Sequence, residues 1–402
     1  RDTSVTGVQT CHLPICRKIF LLGLLLYGSA GIMAGSLPVI WVLILARSLQ
    51  GVAIAMLSPS GLAMSLNEFP PSRRAYALGV WGTIGALTGL CGSPIAAGMI
   101  ELFNWQAIFI LTGGFSLLIL IAGLIVLSDE QEGNNQLPID WVSAIIAVMA
   151  VGGLTLFLVQ GQEWGFSSPV TLLCLCISII STPLLAKRNR IQRHPLFPPA
   201  IFSQRSFTIG AAGSALCQVG FFSIYFGLPL YMREVWSWSP LKIGFALIPL
   251  NVVPLLTAAV AGKIVDRRGP RPMVIFGGVW SGVSFLIIGF FLMEAGYIPF
   301  ALGLLVSGLG AMAIGNNTTI ATLLDIEDGL LASASSASYT ARRLGSALGA
   351  VLTASIVGNR LGSDFKDVYI WVWILGAGAY LLGSLITYLY YPRRNEQELS
   401  NV

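Results

Sequence analysis

Apolar stretches about 20 residues long, parted by short polar intervals, recur between residues 19 and 390 of the chain. A helix of that length crosses a hydrocarbon core of about 30 Å. On that measure the pattern predicts twelve spans, at 19–37, 39–64, 77–99, 105–127, 140–160, 168–186, 207–231, 241–261, 272–293, 297–323, 333–357 and 368–390. The stretch at 333–357 fits least well, because ASASSASYTARRLG is polar for a span. One stretch organises the rest: LILARSLQGVAIAMLSPSG, residues 43–61, carries Arg47 roughly halfway along an apolar run. An arginine inside a membrane helix costs about 2.5–3.5 kcal/mol on insertion scales, so it persists where it faces protein or a water-filled path and does a job there.

The charges orient these spans. The segments before 19 and around 65–76, 128–139, 187–206, 262–271, 324–343 and 391–402 hold 18 of the 23 Lys and Arg residues. The opposite side holds Arg233, Lys242, Arg360 and Lys366. By the positive-inside rule the first set is cytoplasmic, and both ends of the chain lie inside. Composition agrees with a polytopic helical membrane protein: 55% of residues are hydrophobic, only 10% are charged, and the mean hydropathy is +0.78. A soluble domain carries about 25% charged residues. The net charge of +5 follows the loops, so it is no signature of a nucleic-acid partner. Residues 1–18 lack the apolar core of a cleavable signal peptide. Cys11, Cys16, Cys91, Cys174, Cys176 and Cys217 show no metal-ligand spacing, and no cofactor or metal is expected.

The basic, proline-bearing loop KRNRIQRHPLFPPAIFSQRS, 187–206, separates six spans from six. CRKIFLLGLLLYGSAG, from Cys16, also matches GPRPMVIFGGVWSGVS, from Gly269, as a faint internal repeat. That alignment pairs 19–127 with 272–390. The second copy is preceded by two further spans, and the first only by polar residues.

Several segments resemble a known family. AGKIVDRRGPRP, Ala261 to Pro272, resembles the cytoplasmic-loop signature of the major facilitator superfamily, with Gly262, Asp266, Arg267, Arg268, Gly269 and Arg271 in its pattern. Its glycines allow a tight turn, Asp266 can meet a helix N-terminus, and the arginines can pair with carboxylates or helix C-termini. HPLFPPAIFSQRSF, LPLYMREVWSWSPLKIGFALIP, RSLQGVAIAML, FPPSRRAYALGVWG, the Asn104-Trp105 start of a span and TARRLGSALG are similar to the fourteen-span drug:proton antiporters of the QacA/EmrB type. The span GVWGTIGALTGLCGSPIAAG resembles the antiporter signature of exporters, through Gly82, Gly85, Gly89, Gly92, Pro94 and Gly98. Spaced glycines also serve ordinary helix packing.

The resemblance implies an all-α polytopic fold of the major facilitator type, with about twelve of fourteen spans present and the first two lacking. It implies an incomplete N-terminal bundle at 1–127, an inserted linker pair at 128–186, the cytoplasmic loop 187–206 and a six-helix bundle at 207–402. The implied function is proton-coupled export of small apolar or cationic compounds across the cell membrane. The expected partners are a small-molecule substrate, protons and the bilayer, and a periplasmic adaptor with an outer-membrane channel is compatible with the branch. In this reading Arg47 serves proton coupling, Gln50 is its hydrogen-bond partner and Gly51 is a close-packing point. Trp81, Gln218, Tyr225, Asn251, Asn316 and Asn317 are candidates for the substrate cavity, although amides deep in spans also bond to one another. All 18 Asp and Glu fall at span ends or in loops. The family's mid-span acid lies in the first of the lacking spans. Two alternatives stand beside drug export: export of a specific metabolite, lipid or siderophore, and a truncated, transport-incompetent or regulatory membrane protein. A phosphate-binding loop is absent from the sequence. His12 and His194 lie at or beyond the membrane face, so no catalytic cluster is apparent and no enzyme is expected.

Overall fold

The computed structural model describes residues 13–67, 74–127, 140–192, 195–315, 317–327, 330–358 and 365–392. In chain order the helices are α1 (Leu13–Ser36), α2 (Ile40–Asn67), α3 (Arg74–Leu102), α4 (Trp105–Val126), α5 (Trp141–Trp164), α6 (Pro169–Ile191), α7 (Pro199–Ser203) and α8 (Arg205–Glu234). They continue with α9 (Pro240–Ala246), α10 (Ile248–Arg268), α11 (Pro270–Ile287), α12 (Tyr297–Ile314), α13 (Asn317–Leu323), α14 (Leu331–Gly358) and α15 (Phe365–Tyr390). Eleven helical segments of the described residues are long and apolar enough to cross a membrane. The twelfth predicted span is the 28-residue α14, long enough to cross but polar in its first half. Two predicted spans are interrupted: 241–261 breaks between α9 and α10, and 297–323 breaks between α12 and α13.

One helix, α4, packs inside out relative to a helix of a soluble protein. In α4 the buried residues are Gly113 and Ser116, while Ile125 and Val126 are 79% and 78% exposed. Lipid is as apolar as leucine, so burying leucine between helices gains little. Small residues bring backbones close, and hydroxyls find carbonyls.

The chain forms two compact units. The first comprises residues 1–137 and 239–248. In it α1 lies against both α2 and α4. A Cβ placed at Gly31 would stand 2.8 Å from Gly113 Cα, and one at Gly35 would stand 2.9 Å from Gln106 O. Ser116 Oγ donates to Leu24 O at 2.9 Å and fixes the register of α1 on α4.

The second unit comprises residues 138–238 and 249–402, with α8 packed against α13, α14 and α15. A Cβ at Gly220 would meet Gly376 O at 2.7 Å, Ser223 Oγ donates to Gly349 O at 3.2 Å, and Thr353 Oγ1 donates to Ser223 O at 3.3 Å. Trp373 and Phe300 are fully buried. α11 ends in a π-helical turn at Ile288–Leu292, where Gly289 lies under the Trp373 ring.

In the same unit α5 and α6 form a hairpin whose open end is tied. Asp140 caps α5, accepting from Ser143 N at 3.1 Å and from Ser143 Oγ at 2.6 Å. Arg188, near the end of α6, donates through Nη2 to Asp140 Oδ1 at 2.9 Å and through Nε to Asp140 Oδ2 at 3.3 Å. The Arg188 fork, followed by the Ser143 hydrogen bonds, holds the Asp140 carboxyl well below the usual carboxylate range. A depressed carboxyl stabilises the fold above its unfolded value of about 3.9, and the stabilisation is lost as pH falls through the folded value. Asp140→Asn is therefore expected to melt below the parent at pH 7 in detergent, and the gap should close as the solution is acidified. Thermal unfolding across a pH series measures it.

Candidate functional site

Arg47 is on α2, near the middle of the apolar window Ile40–Ser58. Its guanidinium lies over the Phe109 ring of α4, 4.4 Å from the centroid. Its Nη1 donates a long hydrogen bond, 3.4 Å, to Gln50 Oε1 one turn on. Beneath it Ala30, Ala34 and Ala46 are buried, so small side chains bring α1 and α2 together and leave room for the Phe109 ring. Gln50 is 3% exposed, whereas Arg47 reaches out of the packed interface. Among the described residues its contacts include no carboxylate. A cation held by an aromatic face and an amide keeps its charge available to a group that approaches from the open side. Among the described residues Gly51, expected as a close-packing point, packs against none: it is exposed, and a Cβ there would meet nothing within 4 Å.

The glycine run of α3 behaves differently from its expected packing role. Gly85 and Gly92 face open space, and a Cβ at Gly98 would come only within 3.7 Å of Leu241. Gly89 is half-buried. Trp81 and Gly82 lie on α3, with side-chain positions outside the described set. The close approach is made from the other partner. A Cβ on Gly244 of α9 would stand 2.8 Å from Ala97 Cβ, 2.9 Å from Ser93 O and 3.1 Å from Pro94 Cα. Leu241 N, in the first turn of α9, donates to Glu101 Oε2 at 3.1 Å. Sequence reasoning missed Gly244, whose only signal was a glycine within the apolar run LKIGFALIP.

In the second unit the loop signature divides between helix and turn. Gly262 is inside α10 and faces open space, so it makes no tight turn. Asp266 and Arg267 are on the last turn of α10, with side chains outside the described set. Arg268 ends α10 and is exposed. Gly269 makes the turn, at φ 74°, a conformation that strains any residue with a Cβ. Arg271 Nη2 donates to Tyr388 O at 2.7 Å, tying the start of α11 to the carbonyl end of α15.

The cavity candidates separate as well. Tyr225 stacks on Phe221 with centroids 5.5 Å apart. With Ile224, Leu250, Phe285, Ala311 and Tyr380 these two rings line a narrow apolar recess. Gln218 is half-buried, seven residues before Tyr225 on the same face of α8, and Asn251 is half-buried beside Leu250. Asn317 is not a lining residue: it is 4% exposed and donates from Nδ2 to Ala313 O at 2.9 Å, satisfying the backbone where α12 breaks. Asn316 lies outside the described residues. The aromatic walls Phe221, Phe285 and Tyr380 were not singled out from the sequence, where they read as ordinary span residues.

A profile of the Major Facilitator Superfamily matches residues 15–222 and 210–401. The tetracenomycin C resistance and export protein of Streptomyces glaucescens is 25% identical over 353 residues, covering 87% of this chain and 65% of that protein. The multidrug export protein EmrB of Escherichia coli K12 is 25% identical over 348 residues, covering 85% of this chain and 67% of its own. The chain thus spans about two thirds of the length of the curated relatives it matches. Among solved structures, that of a mutant of the peptide transporter POT superposes with a TM-score of 0.62 at 18% identity, over 92% of this chain and 79% of the other.

The docking of α9 on α3 yields a test of the local geometry. Gly244→Leu is expected to lift α9 from the Pro94 region, because even a Cβ crowds the Ser93 carbonyl. In a background with the native cysteines replaced, a Gly98→Cys/Leu241→Cys pair should cross-link readily with Gly244 present and several-fold less with leucine in its place.

Proposed function

This chain belongs to the Major Facilitator Superfamily, and on that footing we propose that it is a secondary active exporter. It moves small, largely apolar compounds of the drug type outward by alternating access, coupled to proton entry. It carries its substrate without altering it. The spans run with both termini in the cytoplasm, in keeping with the placement of 18 of 23 basic residues. The moving bodies are a bundle within 1–127 that also carries residues 239–248, and a bundle formed by the rest of 207–402, with the pair 128–186 and the loop 187–206 between them in sequence.

The observation that carries this reading is Arg47. A charge near the centre of an apolar window has a standing cost, and its partners among the described residues, Gln50 and Phe109, leave that charge unneutralised. Such a guanidinium lowers the pKa of any carboxyl that comes near it. A proton-carrying acid brought beside it would be held ionised in one state and released to protonation in another. The named relatives, an antibiotic export protein and a multidrug export protein, support the direction and the substrate class. The rings of Phe221, Tyr225, Phe285 and Tyr380 suit apolar cargo, since aromatic faces accept many shapes.

Vesicles reconstituted with the chain provide the test. An imposed proton gradient should drive movement of a fluorescent drug, and Arg47→Ala should cut the driven rate by about tenfold or more while the variant's melting temperature stays near that of the parent. Movement indifferent to the gradient, or a fully active Arg47→Ala, overturns the reading.

A further inference from the structure

Sequence pattern puts Arg342 and Arg343 both in the basic segment around 324–343 and in the polar first half of the span 333–357. The structure puts both inside a helix: Arg342 is the twelfth residue of α14, and it is half-buried. Its Nη1 donates to Thr319 Oγ1 of α13, a contact that bridges the two helices. Its neighbour Arg343 donates from Nη2 to Tyr339 Oη at 3.3 Å and lies 5.1 Å from the Tyr339 ring centroid. Among the described residues neither guanidinium has an ion-pair partner, and one hydroxyl occupies a fork that carries five N–H donors.

The packing of α8 shows what Arg342 stands beside. A Cβ on Gly345 of α14 would run into the carbonyl of Ala215, and one on Gly349 into that of Val219, so α14 covers the Ala215–Val219 side of α8. α13 covers the Gly210 side, where a Cβ would stand 3.0 Å from Thr322 Cα. Between these two contacts one face of α8 is only partly covered by the described residues, and at helical spacing that face carries Gln218 and Tyr225. Tyr225 is 40% exposed. The Arg342–Thr319 bridge spans the same gap between α13 and α14. Since Gly345 lies against Ala215 and Gly349 against Val219, Arg342 stands about a turn and a half below Gln218 along α8, at the lower end of the face that carries Gln218 and, further up, Phe221 and Tyr225.

From this arrangement we infer that Arg342 is a substrate-recognition residue that selects amphiphilic organic anions, such as aromatic carboxylates. The guanidinium takes the anionic group in a bidentate pair. Thr319 holds the fork in place, Gln218 supplies a further hydrogen bond, and the rings of α8 take the apolar body. Beside such a wall the lower dielectric strengthens a guanidinium–anion pair, and the bidentate hydrogen bonds offset the cost of desolvating it. Cations meet the opposite field there. The inference rests on the exporter reading and narrows its substrate class from apolar compounds in general to those that carry a negative charge.

Equilibrium binding to the purified full chain in an uncharged detergent tests it without requiring transport. The probes are radiolabelled 2-naphthoate and (2-naphthylmethyl)trimethylammonium, which share an apolar body and differ in charge. Arg342→Gln is expected to raise the Kd for naphthoate by about tenfold or more, as loss of a charged hydrogen bond does. It should leave the Kd for the ammonium probe unchanged or lower, and Arg342→Lys should fall between parent and Arg342→Gln. Equal weakening of both probes assigns Arg342 a structural role and overturns the inference, as does unchanged naphthoate binding. A parent that binds the ammonium but not naphthoate sinks this inference and leaves the exporter reading standing. Arg342-dependent naphthoate binding in a chain that fails the vesicle test does the reverse.

Discussion

Close approach of helix backbones is the constraint on which the rest of the structure depends. Within a bilayer every backbone donor and acceptor must be satisfied within its own helix. Transfer from water no longer drives helices together, since the surrounding tails are apolar too. What remains is contact, and contact requires that something be small. Gly31 against Gly113, Gly220 against Gly376 and Gly244 against Ser93 and Pro94 are three instances, each with a would-be Cβ within 3 Å of a neighbouring atom. Ser116, Ser178 and Ser223 add hydroxyls that donate to carbonyls of the facing helix. In α4 bulky apolar side chains are displaced outward, so that helix is apolar on its surface and small at its contact face.

Charge obeys a second rule that follows from the same solvent. At the ends of helices, where water and headgroups are near, opposite charges pair and tie elements together: Asp140 with Arg188 closes the α5–α6 hairpin, and Arg271 reaches the last carbonyls of α15. Within the helices the pattern changes. Arg47 and Arg342 each meet a neutral oxygen, an amide in one case and a hydroxyl in the other. A neutral acceptor orients a guanidinium without cancelling its charge. Both residues thus keep a field that an approaching charge can feel, and among the described residues neither contributes the mutual stabilisation of an ion pair. Their cost is carried by the packing around them.

The interruptions of helical regularity fall in the second unit's own helices and at its boundary with the first. α9 stops at Leu247, α12 stops at Gly315, and α11 runs into a π-helical turn beside Trp373. Each break frees backbone groups that must find new partners. Asn317 supplies one of these by bonding to Ala313 O, so an amide that looked available for a ligand is committed to the fold. Gln218, on an uninterrupted stretch of α8, has no such duty among the described contacts and stays on the open face.

The sequence by itself determined the helical class, the position of most membrane-length helices and the presence of a charge inside an apolar window. Those are properties of composition along a line: an apolar run of about 20 residues has few other fates, and Arg47 is conspicuous wherever its helix goes. Resemblance of its short motifs also led to the right superfamily. The sequence could not determine which glycines are contacts, because that depends on the surface of another helix. Gly51, Gly85, Gly92 and Gly262 face open space, while Gly244, in no motif, makes the close approach. Nor could it separate an amide that satisfies a broken backbone from one that lines a wall, or show that the polar first half of the span 333–357 is continuous helix. A polar half-helix reads as a loop when hydropathy is averaged along the chain. It is a helix because α8 and α13 bury one side of it, and only the tertiary structure supplies those neighbours.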